Sequence, residues 1–137
     1  VGCLTLELFL SNGLLLANEF APRVHNSAHW TIEGSACSQF ENHLRALCDW
    51  PLGDTTARGR SAMLNWIGQM PGVDQLLSVP GLRWHDYGKS ARPGRKLGHA
   101  TLIATDLPEL RRGARRLEPL LDRQTAELLS AEMTALD

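Results

Sequence analysis

The chain has 137 residues and a mass of 15.1 kDa, enough for one core or for two small subdomains that lean on each other. Its 14 basic and 15 acidic side chains give a formal net charge of -1, which excludes a global field that would draw in nucleic acid or an anionic membrane. No apolar run approaches the roughly 18 residues needed to span a bilayer and no basic leader precedes Leu14-Leu15-Leu16, so a water-soluble, cytoplasmic protein is expected.

In chain order, residues 3–10 and 14–20 flank Ser11-Asn12-Gly13, a turn signal that predicts a β-hairpin. Glu7 and Glu19 fall on opposite arms. An odd loop or a bulge would put them on one face, because side chains alternate with period 2. Residues 18–31, from Asn18-Glu19 through Pro22-Arg23-Val24-His25-Asn26-Ser27-Ala28-His29 to Trp30-Thr31, follow no apolar period. Polar groups gather there around a proline that stiffens the backbone, as in a loop that presents chemistry to an anion.

Gly34-Ser35 is expected to open a helix that runs to about Trp50 and stops at Pro51, with Cys37, Phe40, Leu44, Leu47 and Cys48 along one face. On such a helix Cys37 and Cys48 stand about 16 Å apart, too far for a disulfide. Together with an odd cysteine count and no CxxC spacing, this predicts buried thiols rather than a disulfide framework or structural zinc. Residues 52–60, rich in Gly, Thr and Asp, read as a linker between subdomains 1–51 and 52–137. Short strands are expected at 62–67, 82–87 and 96–103, between Pro-Gly breaks. Asp106 should cap a helix with Pro108 and Glu109 in its first turn, and residues 125–136 form another amphipathic helix. Arg111, Arg112, Arg115 and Arg116 read as a solvated face opposite Leu110, Ala114 and Leu117. The fold class is α+β.

Two blocks carry a resemblance. The loop from Asn18 to Thr31 and the basic block Asp86-Tyr87-Gly88-Lys89-Ser90-Ala91-Arg92-Pro93-Gly94-Arg95-Lys96-Leu97-Gly98-His99 resemble, in order and distance, the PurK family of the ATP-grasp superfamily. Ser38-Gln39-Phe40-Glu41-Asn42-His43-Leu44-Arg45-Ala46 is similar to that family's helix. The likeness runs from about Glu7 to about Thr101 and fades beyond, and the family usually has glycine where this chain has Ala28.

The resemblance implies an ATP-dependent ligase of purine biosynthesis that carboxylates aminoimidazole ribonucleotide with bicarbonate through carboxyphosphate. It implies that residues 1–51 are the end of an ATP-grasp domain and that 52–137 are a small barrel-like rudiment single hybrid motif. Family members are more than twice this length, so the chain, which begins at Val1 and has no glycine-rich phosphate loop, is expected to be a C-terminal portion, inactive without the N-terminal part. By the same resemblance, Glu7 and Glu19 hold Mg2+ that bridges ATP phosphates, with Asn18 beside Glu19. Arg23 faces bicarbonate and carboxyphosphate. His25 contacts the ribonucleotide or assists proton transfer, and Asn26, Ser27 and His29 line the same cavity. Lys89 and Arg95 contact the 5'-phosphate, with Lys96 and His99 as further candidates in the same block. The family commonly forms dimers.

Other readings remain open at this point. His25 and His29 are four apart, which raises zinc, although the segment has neither helical pattern nor HExxH. His43 and His85 read as structural. A different ATP-grasp carboxylase or a formate-using transformylase would share the carboxylate pair but differ in the following loop, and a non-catalytic binding or assembly module would keep the fold alone.

Overall fold

The structure, a computed structural model, describes residues 1–136. They divide into two compact units, one of Val1–Ala57 and one from Arg58 onward.

The first unit opens with the antiparallel strands β1 (Thr5–Ser11) and β2 (Leu14–Ala21). Asn12 and Gly13 form the two-residue turn, both with positive φ (51° and 78°), the conformation that Asn-Gly tolerates best and that matches the twist of a hairpin. A 3-10 turn over Asn26–Ala28 follows, then α1 (Thr31–Gly34) and α2 (Gln39–Leu47). The predicted helix is thus shorter than expected and begins after Ser38 rather than at Gly34-Ser35. Its N-terminus is Ser38, whose hydroxyl accepts from Glu41 N–H, because Ser35 is buried and spends its hydroxyl on the carbonyls of Thr31 and Cys37.

Cys37 therefore lies outside α2 and is buried, while Cys48, at the helix C-cap, is exposed along with Leu44 and Leu47, so the expected apolar face and the second buried thiol are corrected. The helix stops before Pro51, at Asp49, whose φ of 56° is left-handed. Residues 52–57 are tied to this unit: Asn42 bonds both the N–H and the carbonyl of Gly53, and Ser35 bridges to Ala57.

The second unit is an open antiparallel sheet in the order β3-β5-β4, from β3 (Arg60–Ile67), β4 (Leu82–Asp86) and β5 (Lys96–Ala104). Among the described residues it does not close into a barrel. The central β5 is buried along almost its whole length, as a strand paired on both edges and covered by a helix must be. α3 (Val73–Leu77) inserts Leu76 into the core, and α4 (Leu107–Leu117) packs Leu110, Ala114 and Leu117 onto the sheet. Full burial of each such leucine contributes about 1.5–3 kcal/mol.

The cap on α4 is as expected: Asp106 accepts from Glu109 N–H at 2.7 Å, and Glu109 reaches back to Thr105 N–H at 2.8 Å. α5 (Arg123–Ala135) closes the chain and adds Leu129 to the core. Arg111 departs from the solvated-face reading. It is half-buried and donates to the Met133 carbonyl at 3.0 Å, holding α5 to α4, while Arg112, Arg115 and Arg116 are exposed.

Candidate functional site

The two-residue turn alone would set Glu7 opposite Asn18. Between Glu7 and Leu8 the register shifts, so that Leu8 pairs Ala17 and Glu7 pairs Glu19, leaving Asn18 as the extra residue of a bulge. The two carboxylates therefore meet across the ladder on one face.

Two anions this close need compensation. Asn18 Nδ2 donates to Glu7 Oε2 at 3.0 Å and Arg23 Nη2 to Glu19 Oε1 at 3.0 Å. His25 Nε2 lies 3.4 Å from Glu19 Oε2 and 4.0 Å from Glu7 Oε2. Glu7, Glu19 and His25 each offer one ligand atom within 4.8 Å of the others, a grouping that could hold a metal ion.

His25 is only 7% exposed. Its Nδ1 accepts the Ser27 backbone N–H at 3.3 Å and sits 2.9 Å from the Ser27 hydroxyl. A ring nitrogen that accepts from an amide carries no proton, so the proton is assigned to Nε2, facing the carboxylates. As the cap of the 3-10 turn, His25 also aims that ring. Ala28 fits this turn with a negative φ and bonds its N–H to the His25 carbonyl, so glycine is not required there. Asn26 Oδ1 is buried and without a hydrogen-bond partner among the described residues. A buried orphan acceptor is costly and marks a place where a ligand donor would be welcome.

The remaining imidazoles of this unit have packing partners: His29 lies at 5.1 Å and 51° to the Phe40 ring, and His43 Nδ1 accepts from Cys3 N–H. His25 and His29 do not converge on a zinc site, since the grouping able to hold a metal contains His25 with the two carboxylates instead.

In the second unit the basic block turns at Gly94, whose φ is 70°. Its organising residue, missed in the sequence, is Tyr87. Lys89 Nζ lies 5.2 Å and Lys96 Nζ 5.7 Å from the Tyr87 ring centroid, so one aromatic ring gathers two ammonium groups. The Tyr87 hydroxyl bonds His99 Nδ1 at 2.8 Å, and the buried His99 stacks on His85 with centroids 4.3 Å apart. Burial pushes the Tyr87 hydroxyl up. Burial, with Lys89 next, pulls Lys96 down to about 8. Arg95 is not on the ring; its Nη1 donates to Ser90 Oγ at 3.1 Å. An aromatic at a strand end followed by a lysine two residues on was the available signal, but nothing in spacing says which basic residue a ring will gather.

Comparison with known proteins puts these features in a family. Residues 1–40 match the ATP-grasp domain and residues 61–113 the phosphoribosylaminoimidazole carboxylase C-terminal domain. N5-carboxyaminoimidazole ribonucleotide synthase of Pseudomonas aeruginosa is 53% identical over 122 residues, 89% of this chain and 34% of that protein. The chain belongs to the PurK family of the ATP-grasp superfamily.

The PurK protein of Escherichia coli is 44% identical over 126 residues, 92% of this chain and 35% of that protein. The crystal structure of the Thermus thermophilus synthetase aligns with a TM-score of 0.82 at 54% identity, over 88% of this chain and 33% of that one. The Aspergillus clavatus PurK enzyme, solved with ADP and 5-aminoimidazole ribonucleotide, aligns with a TM-score of 0.72 at 39% identity, over 84% and 32%. This chain thus spans about a third of the length of the PurK relatives it matches.

Proposed function

We propose that this chain supplies the metal-binding, anion-binding and phosphate-clamping parts of a PurK active site, completed by an N-terminal part of the same enzyme. The convergence of Glu7 and Glu19 across a bulged hairpin, with His25 Nε2 3.4 Å from Glu19, carries this reading, because facing carboxylates repel unless a cation or hydrogen-bond donors offset their charge. The donor set suits a hard cation: the Glu7 and Glu19 oxygens would hold Mg2+, which when bound neutralises ATP phosphate charge.

In the reaction so read, bicarbonate oxygen attacks the γ-phosphorus of ATP and ADP leaves. The amine of aminoimidazole ribonucleotide then attacks the carboxyl carbon of carboxyphosphate, loses a proton, and expels phosphate. Arg23, whose guanidinium already pairs with Glu19, would place its donors against bicarbonate and carboxyphosphate. His25, with its proton held on Nε2, would donate a hydrogen bond at the same place, and Asn26 and Ser27 would line the ribonucleotide's side, Asn26 with its orphan oxygen. Lys89, Lys96 and Arg95 would bind the 5'-phosphate, and charge neutralisation with positioning does most of the catalytic work. A cytoplasmic homodimer fits this reading.

The test is Glu19→Gln in the full-length protein, assayed for bicarbonate-dependent ADP formation across a magnesium titration. The expected result is a magnesium requirement shifted upward by at least about tenfold, since a charged oxygen ligand is replaced by a neutral one. An unshifted magnesium curve overturns the assignment.

A further inference from the structure

Gln39 is the first residue of α2, yet its side chain belongs to the loop before α1. Its Oε1 accepts the His25 backbone N–H at 2.9 Å, while its Nε2 donates to the His25 carbonyl at 2.8 Å and to His29 Nδ1 at 2.8 Å. The amide orientation is fixed by chemistry, because a backbone N–H can only donate and a carbonyl only accept. His25 has extended φ and ψ (-123° and 152°), so Gln39 acts on it as a strand neighbour would, clamping both main-chain groups of one residue.

The grip extends through the backbone. Gln39 N–H donates to Thr31 Oγ1 at 3.0 Å, and that hydroxyl donates to the Ala28 carbonyl at 2.6 Å. One residue from outside the loop therefore holds its start at His25, its middle at Ala28 and the ring of His29. Without it, the His25 N–H would lose this partner and the His25 carbonyl would keep only the turn bond from Ala28 N–H, loosening the segment that carries the ring facing Glu19.

We propose that Gln39 is a positioning residue that fixes the His25-Asn26 segment so that carboxyphosphate delivers its carboxyl group to the substrate amine rather than meeting water. The proposal rests on the PurK reading of this site. When transfer is misaligned, water takes the amine's place: carboxyphosphate and water give bicarbonate and phosphate, so ATP is still consumed but product is not made. Gln39 itself touches no substrate. Its effect passes through His25 and Asn26.

The experiment uses the full-length protein with Gln39→Glu and Gln39→Met, both close in length to glutamine. Glutamate keeps the acceptor for His25 N–H but turns an anionic oxygen on the His25 carbonyl; methionine keeps the volume and loses all three bonds. Bicarbonate-dependent phosphate release and carboxylated product are measured in parallel at saturating ATP and aminoimidazole ribonucleotide, with melting temperature recorded for each variant.

The expected result is a product rate lower by on the order of 100-fold, the cost of a displacement of about 1 Å, with phosphate release far less affected, so that phosphate released per product rises in both variants. A ratio equal to the parent's in both variants overturns the proposal, whether the two rates fall together with the melting temperature or neither changes. A parent protein with no bicarbonate-dependent phosphate release at all overturns the PurK reading first, and the role of Gln39 with it; the two failures are told apart by the parent alone.

Discussion

Replacing Lys96 by methionine removes one of the two ammonium groups on the Tyr87 ring while keeping most of the side chain's length. Burial, and after it the charge of Lys89, pulls Lys96 from 10.5 down to about 8. In the unfolded chain the same group holds its proton to about pH 10.4. Between about pH 8 and 10 the folded chain therefore binds fewer protons than the unfolded one, and stability rises with pH through that window. Below it, the cost of the charged, half-buried lysine is present in full.

A group wholly withdrawn from water would lose roughly 3 kcal/mol by such a drop. Lys96 is only half-buried, and solvent screening reduces the figure to about 1 kcal/mol. The attraction between the ammonium and the ring, worth about 0.5 kcal/mol, disappears in the variant and opposes part of the gain, so the change with pH is the diagnostic quantity. Urea denaturation of both proteins at about pH 7 and about pH 10 should show the stability of Lys96→Met relative to the parent falling by about 1 kcal/mol between them. Equal differences at the two pH values would refute the account. If a phosphate docks beside Lys96, it restores an opposite charge, and binding above pH 8 should take up a proton in the parent but not in the variant.

Arg95→Ala in the full-length protein should raise the Michaelis constant for aminoimidazole ribonucleotide by about 10- to 150-fold, the worth of a charge-assisted bond, and that for ATP far less; steady-state kinetics with each substrate varied in turn checks it. Gly98→Ala should destabilise the second unit by about 1–3 kcal/mol, because a Cβ there would run into the His85 carbonyl oxygen of the neighbouring strand, and thermal unfolding reads the loss directly.

The hairpin, the three strands of the second sheet and the capped α4 were legible because each carries a local signal that packing does not contradict: Asn12-Gly13, the Pro-Gly breaks, and Asp106 with Pro108 and Glu109. The start of α2 was misplaced because two serines compete, and only burial decides that Ser35 bonds carbonyls while Ser38 caps. α1 and α3 are 4 and 5 residues long, too short to show a 3.6-residue period.

The shared face of Glu7 and Glu19 was foreseeable as a condition, but its cause, a bulge at Asn18, depends on pairing that no single strand reveals. Gln39 and Tyr87 lie inside recognisable motifs, yet nothing in those motifs hints at their roles. Both act at long range, Gln39 on a backbone 14 residues earlier and Tyr87 on a histidine 12 residues later, and sequence spacing is silent about such contacts.

The hairpin that brings the two carboxylates together is apolar on both sides. Partners across a ladder share a face, so Leu6, Phe20, Leu10 and Leu15 lie on one side at 60–73% exposure, while Phe9, Leu16 and Leu14 accompany Glu7 and Glu19 on the other. Among the described residues its strands pair with no third strand and leave two open edges of backbone donors and acceptors. Such a ribbon is a template for its own kind, and as a separate chain in solution its open edges and exposed leucines favour self-association. The colloidal behaviour of this polypeptide is thus governed by the exposed leucines of its first unit. A lysine at Leu15, on the side away from the carboxylates, is the change that would disperse it without touching the site.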